Sequence, residues 1–336
     1  MKLGFLTACL PGLPLDEIAA WAAEHDYQAL EVATWPATGS RDSAAAHLDV
    51  ARFGEAEADR VRALFDRYGL ELSAFAYYEN NLHPDECRRA EIEAHLRHNI
   101  DAASLLGVPY VGTFVGRDPG RSVRENIALA EKVMPPLVDY AGERGVKIII
   151  ENCLMAGWHP DGYPGNLAYS PELWEWMFSL GLYLNYDPSH LIWQGIDPVE
   201  ALRPYVDHIP HAQAKDTQLD PVRRNRHGVF GKSIERDDPW DNSWWPHRIP
   251  GLSDFAPRRT ADSIEWDDPW GNSWWRHRIP GLGDIDWRRI LDTLYEGGFT
   301  GVLSVEHEDP VWSGNEKNVK DGLRIAHRTL RPLILT

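Results

Sequence analysis

Lys147-Ile148-Ile149-Ile150-Glu151-Asn152 decides the fold. Three β-branched residues in a row read as a strand, and the run closes on a carboxylate. An apolar run in or just before a metal-capable side chain returns three times downstream. Asp187 follows Tyr183-Leu184-Asn185-Tyr186, and Gln213 lies in His211-Ala212-Gln213-Ala214-Lys215-Asp216. Glu306 closes Val302-Leu303-Ser304-Val305 and leads into His307-Glu308-Asp309. One carboxylate at a strand end is ordinary. Four candidate oxygen ligands on four successive predicted strands can meet where strand ends converge on one face, as in a parallel barrel. Such a cluster suits a hard divalent cation.

Outward from this centre, strand-like and helix-like segments alternate along the chain. Strands are predicted at residues 3–8, 29–33, 71–78, 110–115, 147–152, 183–186, 208–215 and 301–306. Helices are predicted at 15–25, 57–68, 86–106 and 123–144, from Ser170-Pro171-Glu172 onward, and at 198–205, 286–295 and up to 330. The last helix is expected to open on Ser313-Gly314-Asn315-Glu316 as a capping box. Eight βα units predict a (β/α)8 TIM barrel, an α/β fold. The rival is a doubly wound open sheet, but no G-x-G-x-x-G follows the first strand.

The chain reads as one domain over residues 1–336, with 217–285 as a long Trp-rich insert between the seventh strand and the seventh helix. The insert is partly duplicated. Residues 233–262 match 263–292 at an offset of 30, each copy carrying Asp-Asp-Pro-Trp, Asn-Ser-Trp-Trp and His-Arg-Ile-Pro-Gly-Leu. Two copies fall short of a solenoid, so this is a local duplication within one loop. Trp287, Ile290, Leu291 and Leu294 form an apolar stripe in the second copy; Pro257, Thr260, Ala261 and Ile264 replace them in the first. The second copy is therefore the one expected to supply a barrel helix. The first is an added lid, an interface patch or a passive bulge. A neighbouring subunit is expected to cover its Trp240, Trp244 and Trp245.

With a net charge of −17, the chain lacks the basic face that a nucleic-acid backbone requires. Cys9, Cys87 and Cys153 are widely spaced and odd in number, so no disulfide framework is expected. Pro11, Pro14 and Asp16 end the first apolar run too early for a signal peptide, and no stretch approaches a membrane span. These features predict a cytoplasmic protein with neither nucleic-acid nor membrane partners.

Taken singly, the site residues are ambiguous. Glu151 reads equally well as a carboxylate bonded to a helix N-terminus or to a buried arginine. His190 reads as a loop histidine, Arg278 as a surface ion pair, and Trp193, Trp274 and Trp275 as loop packing. His211 and Gln213 point to the same side of one strand, so either could be its ligand. Lys215 is expected beside Asp216 or Glu306 as a charge partner rather than as a Schiff-base lysine.

In combination, the motifs Ile-Ile-Ile-Glu151-Asn, Asp187-Pro-Ser-His190, His211-Ala-Gln213-Ala-Lys-Asp216, Arg278-Ile-Pro-Gly-Leu-Gly-Asp-Ile-Asp-Trp287 and Leu-Ser-Val-Glu306-His-Glu-Asp resemble the sugar phosphate isomerase/epimerase superfamily. These are the xylose isomerase-like TIM barrels, and the likeness spans the chain apart from the extra copy. It implies that Glu151, Asp187, Gln213 and Glu306 bind one divalent cation. Many members carry histidine where this chain has Gln213, while hydroxypyruvate isomerase-like members carry glutamine. That choice favours Mn²⁺ or Mg²⁺ over a histidine-rich zinc cluster.

The resemblance implies a metal-dependent sugar isomerase or epimerase that moves a proton beside a carbonyl through an enediolate. Glu151, Glu306 and His190 are its expected catalytic residues. His190, His211, Lys215, Arg278 and Trp193 are its expected contacts with a small sugar. The alternative is a lyase acting on 3-keto glycosides, similar to C-glycoside deglycosidase catalytic subunits. The protein is expected to be a homo-oligomer, or to pair with a small partner subunit under the lyase reading. A DNA-repair endonuclease disagrees with the charge, and a barrel without catalysis disagrees with the intact carboxylates.

Overall fold

A computed structural model describes residues 1–36, 45–159, 162–229 and 274–335. Ten strands and ten α-helices run through these residues in the order β1 (Lys2–Leu6), α1 (Leu15–Glu24), β2 (Ala29–Ala33), α2 (Glu55–Tyr68), β3 (Glu71–Asn80), α3 (Glu86–Leu106), β4 (Tyr110–Phe114), α4 (Val123–Gly142), β5 (Lys147–Glu151), α5 (Pro171–Ser179), β6 (Tyr183–Tyr186), α6 (Ser189–Ile192), α7 (Pro198–Leu202), β7 (His211–Ala214), β8 (Asp216–Leu219), α8 (Pro221–His227), β9 (Trp275–Arg278), α9 (Trp287–Glu296), β10 (Val302–Val305) and α10 (Glu316–Leu330).

Eight strands close a parallel barrel in the order β1-β10-β7-β6-β5-β4-β3-β2. The first and last strands complete it, with Lys2 opposite Val302 and Phe5 opposite Val305. Alternation along each strand divides its side chains between two environments. On β7, Ala212 and Ala214 join the apolar core, whereas His211 and Gln213 project into polar company. Leu3 and Phe5, Leu30 and Val32, and Ile148 and Ile150 likewise join the core. Helix α9 buries Trp287, Ile290, Leu291 and Leu294, the stripe read from the sequence.

The structure departs from the sequence reading at the cap of the last helix and in the insert, among other places. Helix α10 is capped by Asn315, whose side chain accepts from the Asn318 amide. Ser313 instead donates to the Asp309 carbonyl, so the proposed capping box does not form. A complete capping box does form at Ser122 and Glu125, heading α4. In the insert, a two-stranded antiparallel ribbon joins the start to the far end, β8 against β9, pairing Asp216 with Arg278 and Leu219 with Trp275. The first repeat copy, with Trp240, Trp244 and Trp245, lies outside the described residues. Among the described residues, no helix is long and apolar enough to cross a membrane.

Candidate metal centre

The carboxylates arrive at one mouth of the barrel because each ends a strand. Glu151 is the last residue of β5, Asp187 directly follows β6, and Glu306 directly follows β10. Asn152 clamps the neighbouring segment: its amide donates to the Asp187 carbonyl at 2.7 Å and accepts from the Asp187 amide at 2.7 Å. Ser189 N–H then holds Asp187 Oδ1 at 2.8 Å. Glu151, Asp187 and Glu306 each offer an oxygen within 4.8 Å of the others, and all three are buried. Glu151, Cys153 and His190 form a second such group around the same glutamate.

Three buried carboxylates cannot stand together without positive charge. Lys215 supplies it. Its Nζ lies 2.8 Å from Glu306 Oε2, 3.0 Å from Glu308 Oε2, 3.1 Å from Asp187 Oδ2 and 3.9 Å from Glu151 Oε1. Burial opposes its charge, but these four carboxylates hold its pKa well above the ordinary lysine value. The sequence suggested Asp216 or Glu306 as its partner; the structure places Glu306 there, while Asp216 faces the loop before α9. His190 Nε2 lies 3.2 Å from Asp187 Oδ2 and 3.3 Å from Glu151 Oε1.

The carboxylates do not share one protonation behaviour. Burial pushes Glu306 well above the ordinary glutamate pKa, and neighbouring Glu151, Glu308 and Asp187 add to the rise against Lys215. Burial also raises Glu151, opposed by His190 and Lys215. For Asp187, Lys215 and His190 overcome burial and bring the pKa down to about 2. One carboxylate is thus held ionised beside two with raised affinity for a proton, the division that acid–base chemistry uses.

Gln213 lies on the strand between two of these carboxylates. Its Nε2 donates to Tyr78 Oη at 3.2 Å and to Glu31 Oε1 at 3.3 Å, while its buried Oε1 has no hydrogen-bond partner. Strand β7 lies between β6 and β10 in the barrel, so Gln213 stands between the strands that end in Asp187 and Glu306. An unpaired amide oxygen and three converging carboxylates make an all-oxygen donor set, which fits a hard divalent cation.

The remaining expected residues are placed as follows. His211 sits deeper, with Nδ1 2.9 Å from Asn185 Oδ1 and Nε2 3.1 Å from Ser73 Oγ. Burial lowers its pKa, so it is a neutral member of the barrel floor. Arg278 donates to Asp309 Oδ2 and to Gln218 Oε1, both at 2.8 Å. Trp193 stacks on Trp275 at 4.6 Å with 7° between planes; with Leu154 and Trp274 these rings form a small apolar cluster of their own. His277 links that cluster to His190, its ring 4.9 Å from Trp275 and 5.4 Å from His190. Glu31, Tyr78 and Asn185 had escaped the sequence reading. Glu31 nevertheless carries the signal that marked Glu151, a carboxylate within an apolar strand, Ala29-Leu30-Glu31-Val32-Ala33.

Residues 19–329 match the family described as xylose isomerase-like TIM barrel. The chain belongs to this family. A curated protein of similar sequence is the uncharacterized protein YfiH of Bacillus subtilis (strain 168), 26% identical over 264 residues, or 73% of this chain and 82% of YfiH. The D-psicose 3-epimerase of Clostridium cellulolyticum H10, solved with D-tagatose, superposes with a TM-score of 0.65 over all of both chains at 13% identity. The IolI protein, solved with a zinc atom, gives 0.61 at 19% identity, covering 99% of this chain and 98% of that one. At these identities the structural likeness establishes the shared barrel.

Proposed function

We propose that this xylose isomerase-like chain is a sugar isomerase or epimerase that depends on one divalent cation, Mn²⁺ or Mg²⁺. The observation that carries the reading is the convergence of buried Glu151, Asp187 and Glu306 at the barrel mouth. Gln213 Oε1 would complete the set. When bound, the cation polarises a carbonyl or hydroxyl oxygen of the substrate. An epimerase and a zinc-bearing protein among the structural neighbours agree with this assignment.

The chain's own residues would handle the proton. Glu151 and Glu306, both with raised proton affinity, take it from the carbon beside the carbonyl and return it. His190, beside Asp187 and Glu151, would hydrogen-bond a substrate hydroxyl. Lys215 balances the charge of the carboxylates throughout. Arg278, already oriented by Asp309, lies on the ribbon and would hold the distal oxygens of the sugar.

The test is proton exchange in D₂O against a ketose panel with Mn²⁺ supplied. Turnover should fall by roughly 10²–10⁴-fold in Glu151→Gln and in Glu306→Gln while circular dichroism stays unchanged. Full activity in either variant would sink these assignments. Aglycone release from a 3-oxo-glycoside without ketose exchange would transfer the site to lyase chemistry.

A further inference from the structure

The floor of the barrel holds a chain of buried polar groups beneath the carboxylates. Tyr78 Oη donates to Glu31 Oε1 at 2.5 Å and accepts from Asn185 Nδ2 at 2.7 Å and Gln213 Nε2 at 3.2 Å. Asn185 Oδ1 faces His211, which faces Ser73. Glu31, Asn185, Gln213 and His211 are fully buried, and Tyr78 is 5% exposed. Gly112 on β4 makes room for the phenol, since a Cβ there would meet Tyr78 Oη at 2.6 Å.

A glutamine ligand has a difficulty that a carboxylate lacks. Its two ends are nearly the same shape, yet only the oxygen can bind a cation. In an indifferent pocket the amide would turn over, and its –NH₂ would repel the ion for part of the time. An ionised carboxylate offers acceptors only, so it fixes which end of a neighbouring amide faces it. The Tyr78 hydroxyl lies 2.5 Å from Glu31 Oε1 and directs its proton at that carboxylate. Its oxygen is left to accept from Gln213.

We infer that Glu31 and Tyr78 are positioning residues: together they hold the Gln213 amide by its nitrogen and leave its oxygen free to join Glu151, Asp187 and Glu306. The inference rests on the proposed cation site and adds to it the device that makes glutamine serviceable there. Partners of this kind, which orient a ligand without touching the ion, typically change metal affinity by roughly 10- to 100-fold.

Mn²⁺ titration of the metal-free protein, followed by the electron paramagnetic resonance signal of free Mn²⁺, reads this without recourse to activity. Glu31→Leu should weaken binding by roughly 10- to 100-fold. Glu31→Gln loses the charge but keeps the oxygen that the Tyr78 hydroxyl holds and that also accepts from Gln213, so it should recover most of the affinity. Equal losses in the two variants would mean that charge alone matters, and would overturn the inference. In a Gln213→Ala background, Glu31→Leu should add no further loss; a full additive loss also overturns it. If Glu31→Leu does not fold, Tyr78→Phe, which removes one acceptor from Gln213, should weaken Mn²⁺ binding in the same direction, and unchanged binding counts against the proposal. If Gln213→Ala binds Mn²⁺ as tightly as the parent, or the parent binds none, the cation-site reading itself has failed, a result distinct from the others.

Discussion

At the scale of single residues, Lys215 carries the largest electrostatic burden. It is 1% exposed and faces four carboxylates. Lys215→Met removes the charge while keeping much of the stem. Breaking a buried ion pair by deleting one partner typically costs about 3–5 kcal/mol. Urea unfolding of the metal-free variant should show a loss of that order, and saturating Mn²⁺ should recover much of it through binding to the folded state alone. A loss that Mn²⁺ leaves untouched would mean that lysine and cation do not answer the same charge. Glu306 adds a pH dependence. Between the ordinary glutamate value of 4.5 and its raised one, the folded protein keeps a proton that the unfolded chain has released. Its contribution is therefore full below 4.5 and is lost as pH rises toward the folded pKa. Asp187 acts oppositely: its contribution is present above 3.8 and lost as pH falls through about 2. Melting temperatures of the metal-free protein should decline as pH rises above 4.5, and Glu306→Gln should flatten that decline. An equal slope in the variant would refute the assignment.

At the scale of elements, Asp216 joins the ribbon to the loop that leads into α9. Its Oδ1 accepts from the amides of Thr217 and Ile285, and its Oδ2 from the amide of Gly281 and the indole of Trp287. A Cβ at Gly283 would collide with this carboxylate, which explains the glycine. Asp216→Ala strands four donors, each costing about 1–3 kcal/mol when left buried and unpaired. Urea unfolding should show a loss of about 3 kcal/mol or more; a change near zero would mean that the loop finds other acceptors. This connection also marks what the sequence could and could not disclose. Strands such as Lys147–Glu151 and Val302–Val305 announce themselves because an apolar run ends at a carboxylate. The ribbon does not: Asp-Thr-Gln-Leu and Trp-Arg-His-Arg contain no apolar run, and they pair across the first repeat copy. Ser313 and Glu316 matched a capping pattern, yet Asn315 took the cap because Ser313 was drawn to the Asp309 carbonyl. Three carboxylates of the site could be read from strand ends alone. The partners of Gln213 could not, since Glu31 and Tyr78 reach it only once the barrel closes.

At the scale of the whole molecule, the ribbon pins both ends of the connection that contains the first repeat copy. Asp220 N–H donates to the Trp274 carbonyl at 2.7 Å, just beyond the pairing of Leu219 with Trp275. Residues 233–262 lie between these fixed points, so deleting them shortens a connection without moving its ends. Roughly halving such a connection lowers its closure cost by about 0.6 kcal/mol. The deletion variant should fold with a melting temperature at or slightly above that of the parent, and should bind Mn²⁺ equally well. Failure to fold, or loss of Mn²⁺ binding, would make the first copy part of the barrel.

Closure of the barrel by β1 against β10 has a consequence for how the chain is made. Tyr27 Oη, just before β2, donates to the carbonyl of Leu323 on α10, 296 residues further along. At about 5–20 residues per second, a ribosome needs on the order of 15–60 s to cover that distance. Throughout that interval the newborn β1 has one edge without its mate, and Phe5 and Leu6 lack the rest of their surroundings. A strand edge left open during synthesis is a template for pairing with a neighbouring nascent chain. Expression yield should therefore depend on chaperone supply and on the pace of translation more than the stability of the finished barrel would suggest.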